Sequence, residues 1–503
     1  MKRRTLAWLL ASALLLSGCG GNAADSETVP ESTETEPTET TIPWEPELIG
    51  TWEAEDGTLI GGTYVVDKGS VSGFENDGDA CSVTVEVPET GFYDLEFLTK
   101  GIGGGKMNYV SVDGERLGEI SSSAKYERSS VTRVYMEAGT HTVTVSKSWG
   151  YILWDKVYVY TSRPFDESIY DVSAKLTNPN ATDNAKRLMS YLCDMYGECI
   201  ISGQYCDTGM NGWENMRIAE NNGGKYPAIV GMDMGYYSQT GKDHDASIAT
   251  TEQVITSWEK GCIVTLCWHW LTPEKYIDGT WYSSFRPEHT NINVTKILNG
   301  EDEEGYQLIM KDIDNIAQEL LKMQEAGVPV LWRPLHEASG GWFWWGAEGP
   351  ETYKKLYILL YDTLTNTYGL NNLIWVWNGQ DTAWYPGDEY VDIIGMDIYA
   401  GEHVYTSQVN AFLETHSATP TNKMVVLSEN GTLIDPDLAV RDRAMWGFFC
   451  TWGGEFVVTS GLRIQYSEQY TDVEMLTKVY NSEYVITRDE LPDLKTYPIR
   501  EDS

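Results

Sequence analysis

Eight apolar runs in the last two thirds of the chain constrain its fold more than any other feature. They are "CIISGQ" (199–204), "PAIVGMDMG" (227–235), "CIVTLCWHW" (262–270), "PVLWRPLHE" (329–337), "LIWVWN" (373–378), "VDIIGMDIY" (391–399), "MVVLSENG" (424–431) and "WGFFCTWGG" (446–454). Helical stripes lie between them. Residues 306–327 carry apolar positions at helical spacing and end at a glycine; 351–369 follow Pro350 and also end at a glycine. Apolar strands alternating with helices predict a parallel sheet covered on both faces. Eight such units predict a (β/α)8 TIM barrel, placed at 168–495. The stretches after the first and fifth runs are weak as helices. A doubly wound open sheet is the competing architecture, but no GxGxxG turn follows the first strand.

The upstream third has a different grammar. Residues 48–163 hold short runs such as "CSVTVEV", "GFYDLEFLT" and "NYVSVDG", alternating apolar and polar and separated by glycine-containing turns. No helix-length stripe occurs, so an all-β jelly-roll sandwich is expected. Residues 19–47 are rich in Thr, Glu and Pro and carry no Lys or Arg, the composition of an extended linker. Lys2, Arg3 and Arg4 precede the apolar "LAWLLASALLL", a signal peptide over 1–18 too short to be a spanning helix. The following "LSGC" resembles a bacterial lipobox, which implies lipidation at Cys19 and an extracellular, lipid-anchored protein. A plain signal peptide is the alternative.

The chain has 36 Lys and Arg against 75 Asp and Glu, a net charge of −39. That field repels nucleic acid and anionic membrane surfaces and favours a neutral partner. Seven cysteines follow Cys19, most within apolar runs where they act as small hydrophobes. The odd number leaves at least one thiol free in a monomer, the oligomeric state expected. No CxxC pair occurs, so zinc is not indicated; spacing alone leaves open a Cys193–Cys199 bridge.

In a barrel of this kind the C-terminal strand ends form the active face. Those ends carry Gln204, Asp233, Trp268, His269, Trp270, His336, Glu337, Trp377, Asn378, Asp397, Tyr399, Glu429, Asn430 and Trp452. Glu337 and Glu429 close two very apolar runs, the fourth and the seventh, 92 residues apart. Two carboxylates facing each other across a neutral substrate are what glycoside hydrolysis needs. Glu337, beside rings and glycines, has the drier setting that keeps a carboxyl protonated as the acid. Glu429 lies within "SENG", where Asn430 and Tyr399 favour the charged form and hence the nucleophile. Sugar rings present flat C–H faces to indoles. Trp268, Trp342, Trp377 and Trp452 are therefore candidate subsite walls, with His269, His336, Arg333 and Asn378 orienting hydroxyls. Trp344 and Trp345 serve equally well as loop packing. "HEASG" is not a zinc-protease helix, because Gly340 stands where the second histidine is needed. No GxSxG elbow or P-loop is present.

"WRPLHEASGGWFWWG", "GMDIY", "LSENG" and "ISGQ" together resemble glycoside hydrolase family 26, mostly endo-β-1,4-mannanases. The resemblance implies a retaining enzyme with Glu337 as acid/base and Glu429 as nucleophile. It also implies substrate contacts at His336, Trp342 and Tyr399, with Trp268 and His269 matching less closely. No catalytic cofactor is implied. Residues 48–163 resemble carbohydrate-binding modules of the family 6/35 type through "WEAEDG" (52–57) and "LWDKVYV" (153–159). That resemblance implies a structural Ca²⁺ held by Glu53, Glu55 and Asp155; Trp149 is a candidate ligand platform. The expected function is hydrolysis of mannan, galactomannan or glucomannan by a tethered enzyme. A β-1,3-1,4-glucanase or β-xylanase of the same family is the first alternative, and a non-catalytic glycan-binding surface lipoprotein the second.

Overall fold

In the computed structural model the described residues are 44–66, 69–246 and 249–503. The signal peptide, Cys19 and most of the acidic linker lie outside them. Among the described residues no helix is long and apolar enough to cross a membrane.

Residues 48–161 form two antiparallel sheets, of six and five strands. Strand Gly91–Gly101 shows how the sequence builds them: Tyr93, Leu95, Phe97 and Thr99 alternate inward, and the residues between them stay partly exposed. The inward residues of both sheets close around the fully buried Trp154 and Phe74. Strands Lys106–Val112 and Glu115–Ser122 form a hairpin at the end of the five-stranded sheet. Its turn is Asp113–Gly114, both with positive φ (51° and 87°), the conformation that a two-residue hairpin requires.

Residues 203–451 contain a closed parallel barrel of eight strands. They are β1 (Gly203–Tyr205), β2 (Ile229–Asp233), β3 (Ile263–Trp268), β4 (Val330–Pro334), β5 (Leu373–Trp377), β6 (Ile393–Ile398), β7 (Met424–Asn430) and β8 (Phe449–Thr451). Each pairs with the next, and Gln204 of β1 pairs with Thr451 of β8 to close the ring. All five residues of β4 and of β5 are buried, as expected of strands covered by helices outside and side chains inside. The first run splits. Ile200–Ile201 pairs with Val485–Ile486 in a separate two-stranded sheet, and only its end enters the barrel.

The main outer helices follow the sequence signals. Glu303–Glu325 starts at Asp302, whose side chain accepts from the Gly305 N–H, and Pro350 opens Pro350–Tyr361. A short helix, Trp213–Asn221, follows β1. Between β5 and β6 there are only two short 3₁₀ turns, Thr382–Trp384 and Asp388–Tyr390. All seven described cysteines are free. The Cys193–Cys199 bridge does not form: Cys193 is buried on a helix, and the Cys199 thiol faces the Glu483 carbonyl.

Sandwich and barrel meet directly. The N–H and hydroxyl of Thr132 both donate to Asn410 Oδ1, at 2.8 and 2.6 Å. The Arg441 guanidinium lies over the Tyr135 ring.

Candidate active site

The site is organised around one buried cation. Arg333, on β4, has no exposed surface. Its Nη1 donates to Asp397 Oδ2 at 2.8 Å and its Nη2 to Tyr205 Oη at 3.0 Å. Nη2 also donates to Glu429 Oε1. Partners on β1, β6 and β7 place the guanidinium inside the barrel, below the mouth. A buried charge persists only when paired in this way.

Just beyond β4 the chain turns sharply. Leu335 and Glu337 both adopt positive φ (53° and 52°), which residues other than glycine rarely do. The turn lifts Glu337 to the mouth, where its N–H donates to the Asn378 carbonyl at 2.7 Å. Gly340 and Gly341 then let the chain fold back over itself. The Trp342 ring lies where a Gly340 side chain would stand, and its Nε1 donates to Glu337 Oε2 at 2.8 Å.

Carboxylate oxygens of Glu337, Asp397 and Glu429 all lie within 4.8 Å of one another. Glu429 is held at both oxygens: Arg333 takes Oε1, and Tyr399 Oη donates to Oε2 at 2.6 Å. Glu337 has no cation in contact. Burial pushes its carboxyl up, and the Glu429 charge adds to that, against the Trp342 hydrogen bond. Burial also pushes the Asp397 carboxyl well up, with Arg333 pulling the other way. Three acids around one guanidinium cannot all ionise cheaply. Among the described residues Glu337 is the one of the three with no cationic partner, and burial favours its protonated form.

Beside them stands a second pair. His269 Nδ1 lies 2.9 Å from Asp233 Oδ2. Burial alone would raise Asp233 and lower His269, but each holds the other's charge, leaving Asp233 below and His269 above the usual values. His336 is driven well down by burial, then by Arg333 and His269, so it stays neutral. These groups line a cleft of about 590 Å³ that also includes Glu337, Glu429, Tyr399, Phe343, Tyr236, Tyr282, Arg286 and Trp452.

Of the residues singled out in the sequence, Glu337, Glu429, His336, His269, Tyr399 and Trp452 come together in this cleft, with Trp342 at its rim. Others are turned away from it. Trp268 is fully buried, stacked on Trp270 with ring centres 4.0 Å apart, and donates to Ser238. Trp377 is buried edge-on against Tyr385. Both are core, not subsite walls. Arg333 and Asn378 are also fully buried, so they orient catalytic groups rather than sugar hydroxyls. Asn378 Oδ1 accepts from Arg333 and from the Glu337 N–H. Trp344 and Trp345 pack behind the turn, donating to the backbone carbonyls of Trp270 and His336.

Several groups escaped sequence reasoning. Asp397 and Asp233 stand at the C-terminal strand ends in the sequence, each an acid closing an apolar run, but their roles were not legible there. Tyr205, Tyr282, Arg286 and Ser428, whose hydroxyl donates to Asp397 Oδ1 at 2.7 Å, had no such signal. In the sandwich, Glu53 Oε1 lies 2.9 Å and Asp155 Oδ2 3.5 Å from Lys156 Nζ. Among the described residues one buried Glu55 carboxylate oxygen finds no hydrogen-bond partner.

A parallel barrel with two facing carboxylates at its C-terminal mouth, one paired with a buried guanidinium and one without a cation beside it among the described residues, defines a glycoside hydrolase. Comparison with known proteins agrees and is more specific. Residues 177–490 match the model of glycosyl hydrolase family 26, and residues 51–161 that of the carbohydrate binding module of family 35. A mannan endo-1,4-beta-mannosidase of Thermothelomyces thermophilus is 36% identical over 97% of this chain and 98% of its own. Mannan endo-1,4-beta-mannosidase A of a Piromyces species is 36% identical over 88% of this chain and 72% of its own. The crystal structure of a Podospora anserina GH26-CBM35 β-(1,4)-mannanase superposes with a TM-score of 0.63 at 35% identity, covering 89% of this chain and 99% of that one. The chain belongs to glycosyl hydrolase family 26.

Proposed function

We propose that this protein is a retaining endo-β-1,4-mannanase acting on mannan, galactomannan or glucomannan, with Glu429 as nucleophile and Glu337 as acid/base. One observation carries the reading: the carboxylate oxygens of Glu337 and Glu429 approach within 4.8 Å. That suits the retaining separation of about 5–5.5 Å and leaves no room for the water that inverting enzymes seat across about 6.5–9.5 Å. The relatives' activity supports the choice of mannan.

The chemistry follows from the environments. Glu429, held in place at both oxygens by Arg333 and Tyr399, attacks the anomeric carbon. The bond to the departing oxygen breaks as Glu337 delivers its proton there, leaving a glycosyl ester on Glu429. Glu337, now ionised, accepts a proton from water, which adds to the same carbon and frees Glu429. Two displacements return the original anomeric configuration. His336 and His269 offer ring N–H donors to hydroxyls beside the reacting ring.

The first products of mannan hydrolysis, followed by proton NMR, should be β-anomers that later mutarotate; α-anomers at early times rule out the double displacement. Reducing-sugar release compared on galactomannan, glucomannan, mixed-linkage β-glucan and xylan reads the substrate.

Two further parts belong to the proposal. The lipobox resemblance supports an extracellular enzyme anchored through Cys19; replacing Cys19 by Ala should release the enzyme into the medium. The open Glu55 oxygen supports a cation such as Ca²⁺ in the sandwich, where Glu53 and Asp155 would exchange Lys156 for the ion. Addition of Ca²⁺ to chelated protein should then raise the melting temperature, and Glu55→Gln should abolish the rise.

A further inference from the structure

The barrel mouth does not end at Tyr399. That ring lines the catalytic cleft on one side and, on the other, a second cavity of about 260 Å³ whose far wall belongs to the sandwich. The barrel supplies Ile398, Tyr399, Ala400 and Gln408; the sandwich supplies Tyr109, Arg116 and Glu119 from the 106–122 hairpin. A linear polymer threading the cleft from Tyr236 and Tyr282 past the two glutamates meets this hairpin as it passes Tyr399.

The hairpin's residues there suit a sugar. Tyr109 and Glu119 are cross-strand partners on the outward face. The Arg116 guanidinium lies 3.8 Å from the centre of the Tyr109 ring, which fixes its plane. Among the described residues its N–H groups make no hydrogen bond or ion pair with another side chain, although the protein carries twice as many acids as bases. Gly401 leaves open space on the barrel side: a methyl group there would stand 3.8 Å from Arg116 Nη1. An immobilised fork of donors, a carboxylate and an aromatic edge, all lining a cavity that shares the Tyr399 wall with the catalytic cleft, are groups that bind pyranose hydroxyls.

We propose that the sandwich completes the substrate cleft: the 106–122 hairpin and the 398–408 segment together form an additional subsite for the same polysaccharide chain, with Arg116 as its principal hydrogen-bond donor. This subsite rests on the mannan reading above and adds to it. It makes the module part of the active cleft, acting on soluble oligosaccharides and not only by adsorption to solid polymer. It also makes turnover dependent on chain length, because only a chain long enough to pass Tyr399 reaches Arg116.

The test uses the full-length enzyme and reduced manno-oligosaccharides of three to six units. Arg116→Ala and Tyr109→Ala should lower the ratio of kcat/KM for the longest to that for the shortest by about tenfold, the loss expected for one charge-assisted hydrogen bond. Arg116→Lys should recover part of it. Adsorption to insoluble mannan, measured in parallel, separates this from a module-only role. An unchanged length ratio in both variants overturns the subsite, whether adsorption is lost or kept. The substrate reading is judged separately: wild-type enzyme that turns over none of these oligosaccharides defeats it, while normal wild-type turnover leaves it standing whatever the variants do.

Discussion

Tyr399 Oη donates to Glu429 Oε2 at 2.6 Å while Arg333 holds the other oxygen of the same carboxylate. The two contacts differ in kind. Arg333 is sealed in the barrel, whereas Tyr399 is 44% exposed and stands in the cleft. Tyr399 therefore fixes the orientation of Glu429 from the substrate side. Tyr399→Phe keeps the ring and removes the hydroxyl. A hydrogen bond to a charged group is worth about 1.5–3 kcal/mol, so kcat should fall roughly ten- to a hundredfold. The melting temperature should hardly move, which a thermal scan beside the kinetics will check.

Glu337 and Glu429 should separate by leaving group. Glu337→Ala removes the proton donor, worth about 10²–10⁴ in rate on a polysaccharide. An aryl mannoside whose phenolate needs no proton should recover much of the glycosylation step and accumulate the ester. Glu429→Ala should be inactive on both substrates. Stopped-flow release of the phenol reads the difference, and equal losses for the two variants on the aryl substrate would contradict the assigned roles.

Arg333→Met leaves Asp397 and Glu429 buried beside each other without their cation. Removing one partner of a buried charge group costs about 3–5 kcal/mol. The pH dependence has a definite sign. Burial already holds the Asp397 carboxyl well above its usual value, and without the Arg333 charge that opposes this the carboxyl rises further. The stability it contributes is present at low pH and lost as pH rises through the raised value. Urea midpoints of variant and parent should therefore lie closest in acid and diverge toward neutral pH.

The barrel was readable because parallel strands covered on both sides become continuous apolar runs, and all eight can be found by eye. The acids at the ends of the fourth and seventh runs were readable for the same reason. The direction of a side chain near a strand end was not. Successive residues there point to opposite sides, so Trp268 enters the core while His269, one position later, faces the cleft. Arg333 suffered the same ambiguity, and its partners sit on strands far away in sequence. The split of the first run was hidden too, because Ile200–Ile201 pairs with a strand from the C-terminal end of the chain. The sandwich was legible in its alternation, but nothing local announced that its 106–122 hairpin would lie against the loop after β6.

Gly340 bears on the Glu337 carboxyl through Trp342. Its indole N–H donates to Glu337 Oε2, a bond that favours the ionised carboxylate and holds the Glu337 pKa down against burial and Glu429. The ring can take that position only because Gly340 has no side chain. Gly340→Ala should push the indole away, and Trp342→Phe should remove the N–H while keeping a ring. In both variants the Glu337 pKa rises further. Because the protonated form is the active acid, the alkaline limb of the kcat/KM profile should move to higher pH. Subsite contact with the indole is lost at the same time, so KM should also rise. A pH series on a soluble mannan, run for parent and both variants, measures the two effects together; an alkaline limb that stays in place or moves to lower pH would show that Trp342 does not tune the acid.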